Sequence, residues 1–124
     1  MARCNIVTCD DKNQFIEHLD FSDMGLRGTF VTEIGLLTRL KSFVATDNHF
    51  IGPINPVTFT YMPNLEVFDV SSNKFGGGFP ATLVQLPRIQ DIVLSNNLIV
   101  GPLPGDIKYS ESISKFFLTS GNWN

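Results

Sequence analysis

The chain is poor in several features that mark particular classes of protein. It has two cysteines, two histidines and one tryptophan in 124 residues, so a four-ligand zinc site is not expected, and neither is a cofactor. No run of eighteen apolar residues occurs, which argues against a membrane span in this segment. The formal net charge of −3 argues against a nucleic-acid partner, because such proteins usually present a basic face to the phosphates.

The N-terminus also lacks a targeting signal. Its first ten residues read MARCNIVTCD and contain no apolar segment long enough for a signal peptide. Hydrophobic residues nevertheless make up 43% of the chain, which is enough for the core of one folded domain. Two interpretations follow: the chain is intracellular, or it is a fragment of a longer secreted or membrane-anchored protein.

What the chain does have is an internal repeat. Segments 65–80 (LEVFDVSSNKFGGGFP) and 89–104 (IQDIVLSNNLIVGPLP) match position for position, and the same pattern begins earlier at Leu40 and at Ile16. The repeats therefore span 16–39, 40–64, 65–88 and 89–112, with a partial fifth at 113–124 and a preceding segment at 1–15. So regular a period predicts a solenoid in which each repeat stacks on its neighbours.

Each repeat begins with an alternating stretch that predicts a short strand. In the third repeat Phe68 and Val70 should point into the core, while Val67, Asp69 and Ser71 point outward. Stacked strands of this kind form a parallel sheet on the concave face. Segments such as 81–86 should form short helical or 3₁₀ turns on the convex face. The second repeat is one residue longer than the others, and the extra residue is expected to bulge within 56–63.

Asparagine and glycine follow each strand. The side chains of Asn48, Asn73 and Asn97 can donate to and accept from backbone groups at the turn, so we expect them to stack as a ladder through the core. Met24 takes this place in the first repeat and should cap the ladder with an apolar side chain. Glycines follow in what the pattern indicates is a loop: Gly28, Gly52, Gly77 and Gly101.

The pattern L-x-x-L-x-L-x-x-N-x-L-x-G-x-I-P and the phrase TEIGLLTRL at 32–40 resemble the plant-type leucine-rich repeats. These occur in receptor kinase ectodomains, polygalacturonase-inhibiting proteins and leucine-rich-repeat extensins. The resemblance covers about nine tenths of the chain. It implies an α/β, strand-rich solenoid that binds a protein or peptide.

The same resemblance implies an N-terminal cap at 1–15, with a disulfide between Cys4 and Cys9. The family's Trp-x-Gly before the second cysteine is missing here, and two free thiols remain the alternative in a reducing compartment. The partial fifth repeat stops soon after its asparagine position without a C-terminal cap. We therefore expect the N-terminal part of a longer protein, for which the resemblance implies an extracellular or cell-surface location.

The candidate ligand-binding residues are those that the predicted strands turn to the concave surface. They are His18, Asp20, Ser22, Asp23, Val44, Thr46, Asp47, Val67, Asp69, Ser71, Asp91, Val93, Ser95 and Phe117. One column of them carries only hydroxyls, which either form a solvated stripe or bind a ligand. The aspartates form an acidic cluster, which either favours a basic peptide or protein loop or serves solubility. The valines and the phenylalanine supply an apolar patch.

An enzyme would need a nucleophile, a base and a stabilising group that converge in a cleft. The serines here lie on an open face, so catalysis is not expected. Three functions remain: a ligand-binding segment of a receptor-like signalling protein, a secreted cell-wall or polygalacturonase-inhibitor-like protein, and a structural spacer of repeats.

Overall fold

A computed structural model describes residues 6–103 and the backbone of residues 115–117. Within these residues the chain forms nine strands and three 3₁₀ helices. The strands are β1 (Val7–Cys9), β2 (Ile16–Asp20), β3 (Arg27–Thr29), β4 (Ser42–Val44), β5 (His49–Pro53), β6 (Val67–Asp69), β7 (Lys74–Gly76), β8 (Asp91–Val93) and β9 (Lys115–Phe117). The 3₁₀ helices are η1 (Thr32–Leu36), η2 (Pro56–Phe59) and η3 (Ala81–Gln85). No helix in the described ranges has the length and apolar character to cross a bilayer.

The larger sheet, which we call the concave sheet, has the strand order β1-β2-β4-β6-β8-β9. From β2 onward all neighbouring strands are parallel, and Phe43 pairs with Phe68, which pairs with Ile92. These three residues hold the same position in successive repeats, so they are the partners that the repeat pattern predicts. The parallel sheet and its register are therefore confirmed.

Strand β1 runs antiparallel to β2 and closes the first edge of this sheet. Val7 lies opposite Leu19 and Thr8 opposite His18. An added strand satisfies backbone groups that an open edge would leave unpaired. Cys9 is exposed at the end of β1, and its expected partner Cys4 lies outside the described residues. The disulfide between them stays a prediction.

A second, three-stranded sheet with the order β3-β5-β7 lies where the sequence pattern indicated only loops. That expectation was wrong. Gly28 and Gly52 lie inside its strands with φ of 118° and 82°, and glycine inside a strand weakens the sequence signal for one. Stacking of the repeats brings these segments into parallel pairing, and the rings of Phe50 and Phe75 stack beneath them at 5.7 Å.

The convex side carries the 3₁₀ helices, as predicted. Backbone hydrogen bonds also locate the extra residue of the second repeat. In the convex turn of the first repeat, backbone hydrogen bonds are donated by the N–H groups of Ile34 and Leu40. The matching donors in the second repeat are Thr58 and Leu65, and the segment between these two is one residue longer. The insertion therefore falls in the turn after Thr58, within the predicted segment 56–63, and Tyr61 there is 74% exposed.

The core lies between the two sheets and the convex turns. Phe68 and Val70 are fully buried, as predicted, and so are the leucine and isoleucine that begin their repeats, Leu65 and Ile89. The phenylalanines pack on one another: the ring of Phe68 lies 5.6 Å from that of Phe43. Burial of this apolar area is the main favourable contribution to folding.

The asparagines form a ladder of buried hydrogen bonds. Asn97 donates to the carbonyls of Val70 (2.9 Å) and Leu94 (3.2 Å), and its Oδ1 accepts from the N–H of Phe75 (3.0 Å). Asn48 and Asn73 make corresponding bonds in the two earlier repeats. Each side chain thus joins its own turn to the preceding repeat, which satisfies backbone groups that the turn leaves open.

The first rung differs from the expectation. The side chain of Met24 is 46% exposed, so it does not cap the ladder as the sequence suggested. The backbone N–H groups of Met24 and Leu26 instead donate to Oδ1 of Asn48, at 3.1 and 3.0 Å. The ladder therefore ends on backbone donors of the first repeat.

Candidate ligand-binding surface

Two columns of side chains run across the outer face of the concave sheet. Strand pairing places in one column His18, Ser42, Val67, Asp91 and Lys115, and in the next Asp20, Val44, Asp69, Val93 and Phe117. Alternate residues of a strand face opposite sides, and the residues between these columns on β2, β4, β6 and β8 are buried, so the side chains of both columns on these four strands face outward. Only the backbone positions of Lys115 and Phe117 are described.

In the second of these columns, from Asp20 to Phe117, acidic and apolar residues alternate from β2 to β8. Carboxylates on β2 and β6 are separated by the half-buried valines of β4 and β8. Neighbouring strands lie roughly 4.8 Å apart, so the column spans roughly 19 Å. That is the length of an extended peptide of about six residues.

The hydroxyl column, Ser22, Thr46, Ser71 and Ser95, lies beside it at the ends of the strands. Two of its members already take part in local hydrogen bonds: Ser22 Oγ accepts from the N–H of Thr46 at 3.3 Å, and Ser71 Oγ donates to Asp69 Oδ1 at 2.8 Å. The first of these bonds joins two neighbouring repeats, whereas the second lies within one repeat.

The structure also explains much of the acidic cluster in conformational terms. Asp20 and Asp69 each accept the backbone N–H two positions ahead, at 2.9 and 3.0 Å, as aspartate commonly does in turns. Asp23 and Asp47 have positive φ angles of 53° and 56°, a region that aspartate and asparagine tolerate better than most residues. The local backbone conformation thus accounts for aspartate at these four positions, a role that the sequence did not reveal.

The fifth aspartate, Asp91, pairs in register with Val67 of β6 and Lys115 of β9. His18, at the other end of that column, has its Nδ1 2.7 Å from Ser42 Oγ. Within the described ranges no group of three or more histidine, cysteine, aspartate or glutamate side chains is arranged to hold a metal ion.

Two basic residues and a histidine lie on the second sheet rather than on the concave one. Arg27, His49 and Lys74 are exposed on β3, β5 and β7. Their separation from the acidic residues could be recognised only once the second sheet was known.

The profile of the leucine rich repeat family matches residues 38–99, half of the chain. The chain belongs to the leucine-rich-repeat family. Among its relatives, Receptor-like protein 47 of Arabidopsis thaliana is 33% identical over 78 residues, which cover 62% of this chain and 9% of that protein. Receptor-like kinase TMK4 of the same plant is 34% identical over 82 residues, 66% of this chain and 8% of the kinase. The chain thus spans less than a tenth of either relative.

Solved structures of the same fold include plant receptor ectodomains. The BIR2 ectodomain of Arabidopsis thaliana superposes with a TM-score of 0.90 at 22% identity, over 97% of this chain and 63% of that one. The PEPR1–AtPEP1 structure gives a TM-score of 0.85 at 28% identity, over 96% and 16%. The Arabidopsis receptor kinase HAESA, in complex with the peptide hormone IDA and the co-receptor SERK1, gives 0.77 at 22% identity, over 91% and 18%.

Proposed function

We propose that this chain is a recognition segment of a plant-type, receptor-like extracellular protein, and that its concave sheet binds an extended protein or peptide segment. The observation that carries the proposal is the column from Asp20 to Phe117, in which acidic and apolar residues alternate from β2 to β8. The proposal includes a cap at 1–15 with a Cys4–Cys9 disulfide, followed by the repeats.

The chemistry of the column favours a ligand with both apolar and basic side chains. Val44 and Val93 offer apolar surface that is only half-buried, and burial of such surface supplies most of the binding energy at protein interfaces. Asp69 uses Oδ1 for its own turn, which leaves Oδ2 for a lysine or arginine of the ligand. Opposite charges at such an interface mainly contribute specificity and association rate.

The similarity to receptor ectodomains supports a binding function. PEPR1 and HAESA were both solved in complexes, and this chain has their fold. A secreted wall protein or an inhibitor would use the same kind of surface. A spacer would have no use for it, so a binding measurement separates the spacer from the other two functions.

The test begins with a displayed library of random dodecapeptides selected on the immobilised chain. Selected peptides are then titrated by calorimetry against the wild type and two variants of the column. Val93→Lys places a charge in the apolar patch, and Asp69→Asn removes a charge but keeps the oxygen that accepts from Ser71. The matched controls are Val57→Lys on η2, where the side chain is 67% exposed, and Asp11→Asn.

We expect selected peptides to be enriched in lysine and arginine. Val93→Lys should weaken their binding by about tenfold or more, since loss of a central contact costs about 1.4 kcal/mol or more, and Asp69→Asn should weaken it several-fold. The two control variants should bind as the wild type does. If Val93→Lys and Asp69→Asn also bind like the wild type, the concave sheet is not the binding surface. If no peptide is selected at all, the spacer function is favoured.

A further inference from the structure

The outer face of the β3–β5–β7 sheet, which we call the flank face, differs in charge from the rest of the chain. Segments 25–31, 49–55, 74–79 and 98–103, which form this side of the repeats, contain Arg27, His49 and Lys74 but no aspartate or glutamate. The chain as a whole carries a net charge of −3. The two sheets therefore present faces of opposite charge.

The two basic residues of the flank face and its histidine are not used internally. Within the described residues, Arg27, His49 and Lys74 form no ion pair and no side-chain hydrogen bond. The concave aspartates, by contrast, bond to their own turns: Asp20 to the N–H of Ser22 and Asp69 to that of Ser71. The local structure thus explains the aspartates but not these three exposed residues.

Exposed apolar residues lie among these three residues. Ile51 is 52% exposed at the centre of β5, and Val100, which bridges to Gly78, is 44% exposed. A Cβ added to Gly76 or Gly78 would meet no atom within 4 Å, and neither glycine has a positive φ. Internal packing therefore does not require glycine at either position. Because neither glycine has a side chain, a ligand can approach the backbone closely at this part of the flank face.

We propose that the flank face is a docking surface for an acidic, extended peptide segment of a partner protein. Charge complementarity identifies the chemistry of the partner: its carboxylates would pair with Arg27 and Lys74, and an apolar side chain would pack on Ile51. The proposal is independent of ligand binding at the concave sheet, because the two faces share none of these residues.

Strand register fixes the spacing of the expected motif. Arg27 pairs with His49, and Ile51 pairs with Lys74, so Arg27 and Lys74 are two strands and two positions apart, roughly 12 Å at ordinary sheet spacings. In an extended peptide, residues i and i+4 lie on one side and roughly 13 Å apart, with i+2 between them. The motif is therefore acidic-x-apolar-x-acidic.

The experiment titrates the chain into a fluorescent peptide, GSESLSESG, and follows anisotropy at low and at physiological salt. The charge-reversed peptide GSKSLSKSG is the ligand control. The test variants are Arg27→Glu, Lys74→Glu and Ile51→Ser. Lys12→Glu is the matched control, because Lys12 is also exposed but lies in the turn after β1. Circular dichroism checks that each variant is folded.

We expect the acidic peptide to bind, and we expect Arg27→Glu and Lys74→Glu not to weaken any binding of the basic control. Arg27→Glu and Lys74→Glu should each weaken binding of the acidic peptide by about tenfold, Ile51→Ser should weaken it several-fold, and higher salt should weaken it further. Lys12→Glu and Val93→Lys should leave it unchanged, so this result is separable from any result at the concave sheet.

Two outcomes would overturn the proposal. Equal weakening by Lys12→Glu and Lys74→Glu would mean that the peptide responds to overall charge rather than to the flank face. Self-association of the chain in sedimentation velocity that Lys74→Glu abolishes, without binding of the acidic peptide, would mean that the face takes a second copy of the chain instead.

Discussion

Replacement of Asn73 by alanine is the sharpest test of the asparagine ladder. Its side-chain amide donates to the carbonyls of Ala45 (2.8 Å), Val70 (3.0 Å) and Ser71 (3.2 Å), and its Oδ1 accepts from the N–H of Phe50 (3.2 Å). The residue is only 7% exposed, so water has little access to replace these bonds. Asn73→Ala removes all four bonds at once.

The loss is not four times that of one hydrogen bond, because some groups keep other partners. The carbonyls of Val70 and Ser71 also accept from donors in the next and the preceding repeat. That of Ala45 keeps only a longer bond, of 3.4 Å, from the preceding rung of the ladder. The N–H of Phe50 has no replacement, and an unsatisfied buried donor costs about 1–3 kcal/mol. With the weakened bond at Ala45, we expect Asn73→Ala to lower the free energy of unfolding by about 2–4 kcal/mol.

Urea denaturation followed by circular dichroism measures this change. Asn64→Ala is the matched control, because Asn64 lies on the convex side and makes only exposed hydrogen bonds, to Thr38 and Arg88; it should cost less than about 1 kcal/mol. Amide hydrogen exchange adds a local readout, since Phe50 should lose protection first in Asn73→Ala. Equal stability of the two variants would refute the reasoning.

The convex turns supply two further predictions, both measured by urea denaturation. A Cβ at Gly35 would collide with the backbone oxygen of Thr58, so Gly35→Ala should destabilise the chain by about 1–3 kcal/mol, whereas Gly78→Ala, with open space around the added carbon, should stay within about 0.5 kcal/mol of the wild type. The hydroxyl of Thr58 is buried without a hydrogen-bond partner in the described part of the chain, so Thr58→Val should stabilise by about 1 kcal/mol. Thr60→Val should instead destabilise, because it removes a 2.8 Å bond to the carbonyl of Val57. Equal stability of the two glycine variants, or a loss of stability in Thr58→Val, would show that η1 and η2 do not pack as described.

The repeat period was sufficient to predict the concave sheet. A hydrophobic position that recurs at the same place in every repeat fixes which residues become neighbours, so the pairs of Phe43 with Phe68 and of Phe68 with Ile92 could be read from the sequence. Side-chain alternation then assigned Phe68 and Val70 to the core. The repeat period and the side-chain alternation are regular, local signals, and the packing of the whole fold agrees with them.

The second sheet could not be predicted in the same way. Its strands contain glycines with positive φ at Gly28 and Gly52, and their pairing arises only when whole repeats stack. The backbone conformation of the turns could not be predicted from the sequence either. The positive φ angles of Asp23 and Asp47 account for aspartate at these two positions, whereas the sequence alone suggested that both contribute to binding.

Mapping of the bound ligand on the chain tests the central proposal most directly. Amide chemical shifts of the isotope-labelled chain would be recorded by NMR during titration with a peptide selected on it. We expect the largest changes on the concave strands β4, β6 and β8 and on the hydroxyl column beside them, in particular at Thr46, Ser71 and Ser95. Changes confined to the convex helices η1 to η3, with the concave strands unaffected, would contradict the proposal.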